Sequence, residues 1–296
     1  MNYYHYSGSR RSELDARKLE QHGDFRVLRR LPKPSEMWLA TSGRDEQETT
    51  IAVVDLETTG LDPTRHDPIE LGIALMRLDG TGLLSDVTGP VTMLEQPSRP
   101  IPLEVETLTG IGDRMVAGQR FDEKSLQRLF LKADVIVSHH AAFDRGFLVR
   151  RFPWIDLPWA CSVKELDWRR FGLEGKALGH LVASAGHFIA DSHRAGEDCW
   201  ALTCLLARQA PDGRTVAAHL LDTARRPTFR LIAWDAPFST RDALKAAGYR
   251  WNVKQRVWWI EGDEEKIGHE DAFVRSLHPM LRPETVVIDW YRRHAE

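Results

Sequence analysis

Asp55 and Glu57 stand one residue apart in the stretch 51–60, IAVVDLETTG. An apolar, β-branched run that closes in a turn reads as a buried strand. Side chains alternate along a strand, so both carboxylates leave its end on one face and Leu56 on the other. Carboxylates are costly at such a place unless they are paired or hold a metal. Taken alone, a D-x-E at a strand end is most simply two solvated acids. Further along, SHHAAFD follows the apolar run Val135-Ile136-Val137 and puts Asp144 in the first turn of the next helix. By itself an acid there does no more than favour the helix dipole. Later still, SHRAGED carries His193 and Asp198. On one helix these two would be ~140° apart. They converge only if His193 lies in the loop before the helix and Asp198 inside it, a transition that the small Ala195 and Gly196 permit. An isolated histidine is in most cases a plain surface or core residue, so the weight rests on whether the acids meet.

The elements that would bring them together are legible in outline. Residues 69–78 (IELGIALMRL) and 83–94 read as strands joined by the turn Asp79-Gly80-Thr81-Gly82, which with 51–57 makes an antiparallel meander. Residues 103–111 and 121–132 read as helices, 135–137 as a further strand, and 141–151, 163–171, 176–185 and 194–209 as helices. Strands first, then strand and helix in alternation, predict an α/β fold with a mixed sheet and helices packed on it. Pro211-Asp212-Gly213 breaks the chain, with helix resuming through Leu221. From Phe229 a second unit follows: a strand (FRLIAW), a helix over 241–247, an aromatic strand (RVWWI), a helix at 273–277 and a last ordered element at 286–291. Ser239-x-x-Asp242 looks like a capping box for the helix at 241, and Gly248 like its stop. The expected domains are an N-terminal extension and linker over 1–48, an α/β domain over 49–212, and a small α+β domain over 225–296. The extension, with a helix at 12–21, an amphipathic piece at 25–31 and a linker at 42–50, carries no chemistry.

The 296 residues suffice for one large domain or two ordinary ones, and the net charge of −3 gives no global basic signal. Cys161, Cys199 and Cys204 have neither zinc-site spacing nor the number for a disulfide framework. With no transmembrane run and no leader-like segment, a cytoplasmic protein without membrane contact is expected. Charge is uneven, however: residues 225–256 hold eight Lys or Arg against two acids, with Phe229, Trp234, Phe238, Tyr249, Trp251, Trp258 and Trp259 interleaved. Basic residues beside accessible rings suit single-stranded nucleic acid. Most of these rings are expected in the core that so small a unit must fill, with one or two left for stacking.

The ordered set D-x-E, small-residue-F-D and H-x-A-x-x-D resembles the DEDDh 3′–5′ exonucleases, the family that includes the proofreading (epsilon) subunit of bacterial DNA polymerase III. The resemblance covers about residues 50–210 and takes in LTGI at 108–111. Where the family carries His-Asn before Ala in the second motif, this chain has His139-His140. The resemblance implies a ribonuclease-H-like mixed sheet with flanking helices. It implies Asp55, Glu57, Asp144 and Asp198 as ligands of two Mg²⁺ or Mn²⁺ ions, with Asp55 bridging, and His193 as general base. It also implies that Thr58 and Thr59 hold the terminal nucleotide through backbone N–H groups, that Leu61 and Phe143 pack on its base or sugar, and that His139 lies near substrate. The substrate implied is a single-stranded or frayed DNA 3′ end, cut to 5′-mononucleotides in proofreading or repair; no polymerase-docking motif is evident. The tail ALKAAGYRWNVKQRVWW looks like a short L-K-x-x-G-x-x-W…W module of DNA-handling proteins. Chemistry agrees independently: four convergent carboxylates need protons or cations, oxygen ligands select Mg²⁺ or Mn²⁺, and an imidazole suits a base near neutrality. The alternatives are an exoribonuclease of the same fold and a non-catalytic nucleic-acid-binding protein that keeps it.

Overall fold

The computed structural model describes residues 10–37 and 47–295, so most of the expected 42–50 linker lies outside the described residues. The chain divides into two compact units, one running through Ala224 and taking in His294 and Ala295, the other Arg225–Arg293. In the first, helix α1 (Arg10–Glu20) and the short strand β1 (Arg29–Arg30) precede the meander β2 (Thr49–Thr58), β3 (Pro68–Leu78) and β4 (Leu84–Leu94). Helices α2 (Leu103–Thr109), α3 (Asp113–Val116) and α4 (Glu123–Phe130) lead to β5 (Val135–Ser138), α5 (Ala141–Arg151) and β6 (Trp159–Cys161). Then come α6 (Ser162–Glu165), α7 (Leu178–Ser184), β7 (His187–Phe188), α8 (Ala195–Leu206) and α9 (Val216–Arg225).

The five-stranded sheet has the order β4-β3-β2-β5-β6, with β3 antiparallel to both of its neighbours and β5 parallel to both of its own. The central β2 pairs with β3 from Thr49 opposite Leu78 to Thr58 opposite Pro68, but with β5 only from Ile51 to Val53. Past Val53 the strand therefore runs beyond its parallel neighbour, at the carboxyl ends of the parallel strands where open α/β sheets leave a crevice. Ala52, Val54 and Leu56 sink into a core shared with Ile136, Phe147 and Trp159. By the alternation of a strand, Asp55 and Glu57 face the other way.

The turn after β3 forms as expected: Gly82 N–H reaches Asp79 carbonyl at 2.9 Å, with Gly82 at φ +84°, while Asp79 Oδ1 accepts from Thr81 and Leu83 N–H. Helix α8 is apolar around nearly its whole circumference and buried almost throughout, as such a sequence requires. Its entry lies directly against the sheet: a Cβ on Gly72 of β3 would overlap the Ala195 carbonyl, and one on Gly196 would strike the Thr92 hydroxyl. The N-terminal extension is a packing arm. β1 pairs with β7, Trp200 of α8 donates to the Pro32 carbonyl at 2.7 Å, and Arg29 is held by Glu13 and Glu20.

Several local expectations are corrected. The 163–171 helix is two pieces, α6 and a 3₁₀ turn at Trp168–Phe171, because Leu166 is extended and the Asp167 carboxylate takes the Arg169 N–H. β6, three residues long and wholly buried, gives no alternation to read. α9, which the sequence leaves between the two expected domains, joins the first unit, tied by the Thr215 N–H and hydroxyl to the Gly82 carbonyl.

The second unit is an antiparallel sheet of order β11-β8-β10-β9, from β8 (Thr228–Trp234), β9 (Arg250–Asn252), β10 (Val257–Gly262) and β11 (Arg282–Ile288), with helices α10 (Arg241–Ala246) and α11 (Glu264–Leu277). No capping box starts α10: a 3₁₀ turn at Phe238–Thr240 feeds straight into it, and Thr240 makes no side-chain cap. Gly248 does end it, at φ +88°. α11 begins far ahead of residue 273, capped by Asp263, whose carboxylate takes the Lys266 N–H at 2.9 Å; the polar run that follows hides the period. The last element is strand and starts at Arg282 rather than 286.

Candidate active site

Acids from three elements meet where β2 outruns β5. Asp55 and Glu57 come from β2, Asp144 from the first turn of α5 and Asp198 from the first turn of α8. Burial, then the facing charges of Asp144, Asp198 and Glu57, push the Asp55 carboxyl well above the ordinary carboxylate range. Glu57 is lifted to about 8 by burial and then by Asp198, Glu70 and Asp144. Burial lifts Asp144 to about 7 and raises Asp198 as well. Four acids whose charged forms are all disfavoured constitute a site that lacks positive charge. The donors are carboxylate oxygens, a set that suits a hard divalent cation.

His193 sits in the loop before α8 and Asp198 inside the helix, the arrangement that their convergence required. The residue is exposed and its backbone is left-handed, φ +64°, a region that costs a non-glycine residue some strain. Its N–H donates to Asp198 Oδ2 at 3.1 Å. Ligand atoms of Glu57, His193 and Asp198 lie within 4.8 Å of one another.

Sequence reasoning missed the residue that holds this loop. Glu70 of β3 stands opposite Glu57 in the strand register and is fully buried. Its carboxylate accepts from Arg194 Nη2 at 2.5 Å and Nε at 3.1 Å, and from the Ala195 N–H at 2.8 Å. The residues on both sides of the His193–α8 junction are thereby fixed to the sheet. The available signal was an acid inside an otherwise apolar strand sequence, IELGIALMRL, which requires a buried partner.

The expected nucleotide contacts divide. Leu61, 83% exposed, and Phe143 line one cleft of about 520 Å³ with Pro63, Val149 and His294. The Thr59 N–H is not free to hold a nucleotide, because it donates to the Asp67 carbonyl at 2.9 Å while Thr59 Oγ1 accepts from Asp67 N–H at 3.0 Å. Thr58 is buried and its hydroxyl donates to the Gly60 carbonyl at 2.7 Å. His139 points inward: Nδ1 lies 2.7 Å from Ser162 Oγ and Nε2 lies 2.7 Å from the Lys176 carbonyl. Burial depresses its pKa to about 4, so it stays neutral. It braces β5 against the segments after β6, and the neighbouring His140 is the exposed one. His294, in the cleft lining, was not foreseen; its Nε2 is 3.3 Å from Glu165 Oε2.

A ribonuclease-H-like mixed sheet with acids at the open end of its central strand defines a class of nucleases. Within it, the chain matches the RNase_T exonuclease family over residues 52–206, more than half its length, and belongs to that family. Divalent-metal dependence is a property of the family, and the acid cluster fits it. The PolC-type DNA polymerase III of Thermotoga petrophila is 32% identical over 148 residues, 49% of this chain and 10% of that protein. That of Streptococcus pneumoniae is 30% identical over 170 residues, 55% of this chain and 11% of that protein. This chain thus spans about a tenth of these relatives. A structure of E. coli Exonuclease I in complex with a 5cy-dT13 oligonucleotide is similar in fold, with a TM-score of 0.51 and 15% identity, covering 83% of this chain and 66% of that one. No helix among the described residues is long and apolar enough to cross a membrane.

Proposed function

We propose that the protein is a 3′–5′ exonuclease that hydrolyses DNA from its 3′ ends and releases 5′-mononucleotides, with two Mg²⁺ or Mn²⁺ ions held by Asp55, Glu57, Asp144 and Asp198. The observation that carries this reading is the meeting of those four acids, each with its charged form disfavoured, at the open end of β2. Ions bound there neutralise the acids and polarise the scissile phosphate and the attacking water.

The rest is work for the chain's own side chains. His193, exposed beside Glu57 and Asp198, takes the proton of the attacking water. Asp198 has a second task, since its carboxylate also holds the His193 backbone in its left-handed turn. Leu61 and Phe143 give the terminal base and sugar an apolar seat in the cleft they line. DNA is favoured by the relatives, which are named as DNA polymerases.

The test is degradation of 5′-labelled DNA and RNA oligonucleotides and of a closed single-stranded circle, in Mg²⁺, Mn²⁺ and EDTA. A ladder shortening from the 3′ end of DNA, with mononucleotide products and an intact circle, is the expected result. Activity that survives EDTA or Asp55→Ala, or efficient cutting of the circle, sinks the proposal.

A further inference from the structure

The second unit has a complete core without all of its rings. Leu231, Ala233, Leu244, Tyr249, Ile260 and Ile267 fill it, with Phe229, Trp258 and Phe273 packed partly against them. Phe238 and Trp251 stand outside, 80% and 44% exposed. Both border a groove of about 780 Å³ that Arg241, Asp242, Lys245 and Trp258 also line. The Trp251 ring centroid is 5.4 Å from that of Trp258, so one ring of the pair is anchored in the core and supports the other. The Arg241 guanidinium lies 4.8 Å from the Phe238 ring centroid, and its acidic partner, Asp242, is itself solvent-exposed. Lys245 has no acidic partner among the described residues. The groove thus presents ring faces beside two cations and one acid, Asp242, within a stretch carrying eight Lys or Arg against two acids over 225–256.

We propose that this groove binds single-stranded nucleic acid, with bases stacked on Phe238 and Trp251 and phosphates at Arg241 and Lys245. The groove is complementary to such a strand: every base offers a π face and every linkage a negative charge. A peptide partner would leave the two basic side chains without a stated role. The inference rests on the reading of a nucleic-acid substrate and adds a second site of contact to it. A groove that holds the strand would raise the local concentration of 3′ ends without touching the chemistry.

The experiment uses the full chain in EDTA, where binding is measured without cleavage, and a labelled oligo(dT) of about 20 nucleotides. Fluorescence anisotropy is titrated against salt for the wild type, Phe238→Ala, Trp251→Ala and Lys245→Ala. Removal of either ring is expected to weaken binding about 10-fold, within the range for base–aromatic stacking. Lys245→Ala is expected to make the log–log salt slope shallower by about 0.7, the loss of one phosphate contact. Because Phe238 and Lys245 lie at the surface, these variants test the site even if Trp251→Ala unfolds. Curves from folded variants that superimpose on the wild type overturn the groove as a nucleic-acid site. Weakened binding in the variants of a protein with no nuclease activity in Mg²⁺ or Mn²⁺ upholds the groove and overturns the catalytic reading instead.

Discussion

Glu70 and Arg194 form an ion pair at 2.5 Å that joins the start of β3 to the residue immediately after His193. The acid is fully buried, and its second oxygen also takes the Ala195 N–H. Glu70 faces Glu57 across the strand pair; its charge helps push the Glu57 carboxyl up, and Arg194 works against that rise. Glu70→Gln is expected to lower kcat about 10- to 100-fold, the usual cost of losing a support behind a site residue. As a positioning effect it should act through His193: in a His193→Ala background the same change should cost little more. A full and additive loss in the double variant would show that Glu70 acts by another route.

Gly72 is where the start of α8 comes against β3. Because a Cβ there overlaps backbone atoms of Ala195, no side-chain rotation relieves it. Gly72→Ala should destabilise by about 1–3 kcal/mol or more through overpacking and lower activity by displacing His193 and Asp198 together. Urea melts and steady-state kinetics check both; an unchanged kcat would mean that the loop is not set by this contact.

His193→Ala should reduce the rate about 10²–10⁴-fold, the range for a general base. It should leave the rise in melting temperature caused by Mn²⁺ largely intact, since the four acids remain. Wild-type rates from this variant would place the base elsewhere.

Without metal, the acid cluster should make stability depend on pH in an unusual direction. Glu57 titrates at about 8 and Asp144 at about 7 in the folded protein, against about 4 for unfolded carboxylates. Between those values the folded state binds more protons, so stability is fullest below pH 4 for these groups and is lost as pH rises towards 8. Divalent metal should therefore raise the melting temperature more at pH 8 than at pH 5. Equal shifts at the two pH values would contradict a cluster held protonated in the metal-free state.

His139 should act with the opposite sign. Its folded pKa is about 4, below the ordinary histidine value near 6.5. The unfolded chain therefore binds the extra proton, and this contribution to stability, complete above pH 6.5, is lost as pH falls through 4. His139→Ala should destabilise at pH 7, and the gap to the wild type should narrow at pH 5. A large loss of activity without loss of stability would return His139 to the substrate site.

The sequence alone determined the parts whose physics is local. Alternation in IAVVDLETTG put Asp55 and Glu57 on one face, and the five-residue spacing of His193 and Asp198 let them converge only across a loop-to-helix junction, as found at Ala195. The Asp79–Gly82 turn and the Gly248 stop were legible because glycine takes left-handed backbone at little cost. Other features depended on distant partners. Whether Thr59 N–H was free hinged on Asp67, and whether His139 faced substrate hinged on Ser162 and Lys176. The weight of Glu70 appeared only when β3 and the start of α8, more than a hundred residues apart, came together. Three-residue strands such as β6 and β9 have no period to display, and sheet pairing alone makes them strands. Tertiary structure likewise decided which rings of the second unit are core and which are surface, because a ring's chemistry is the same in either place and only its neighbours differ.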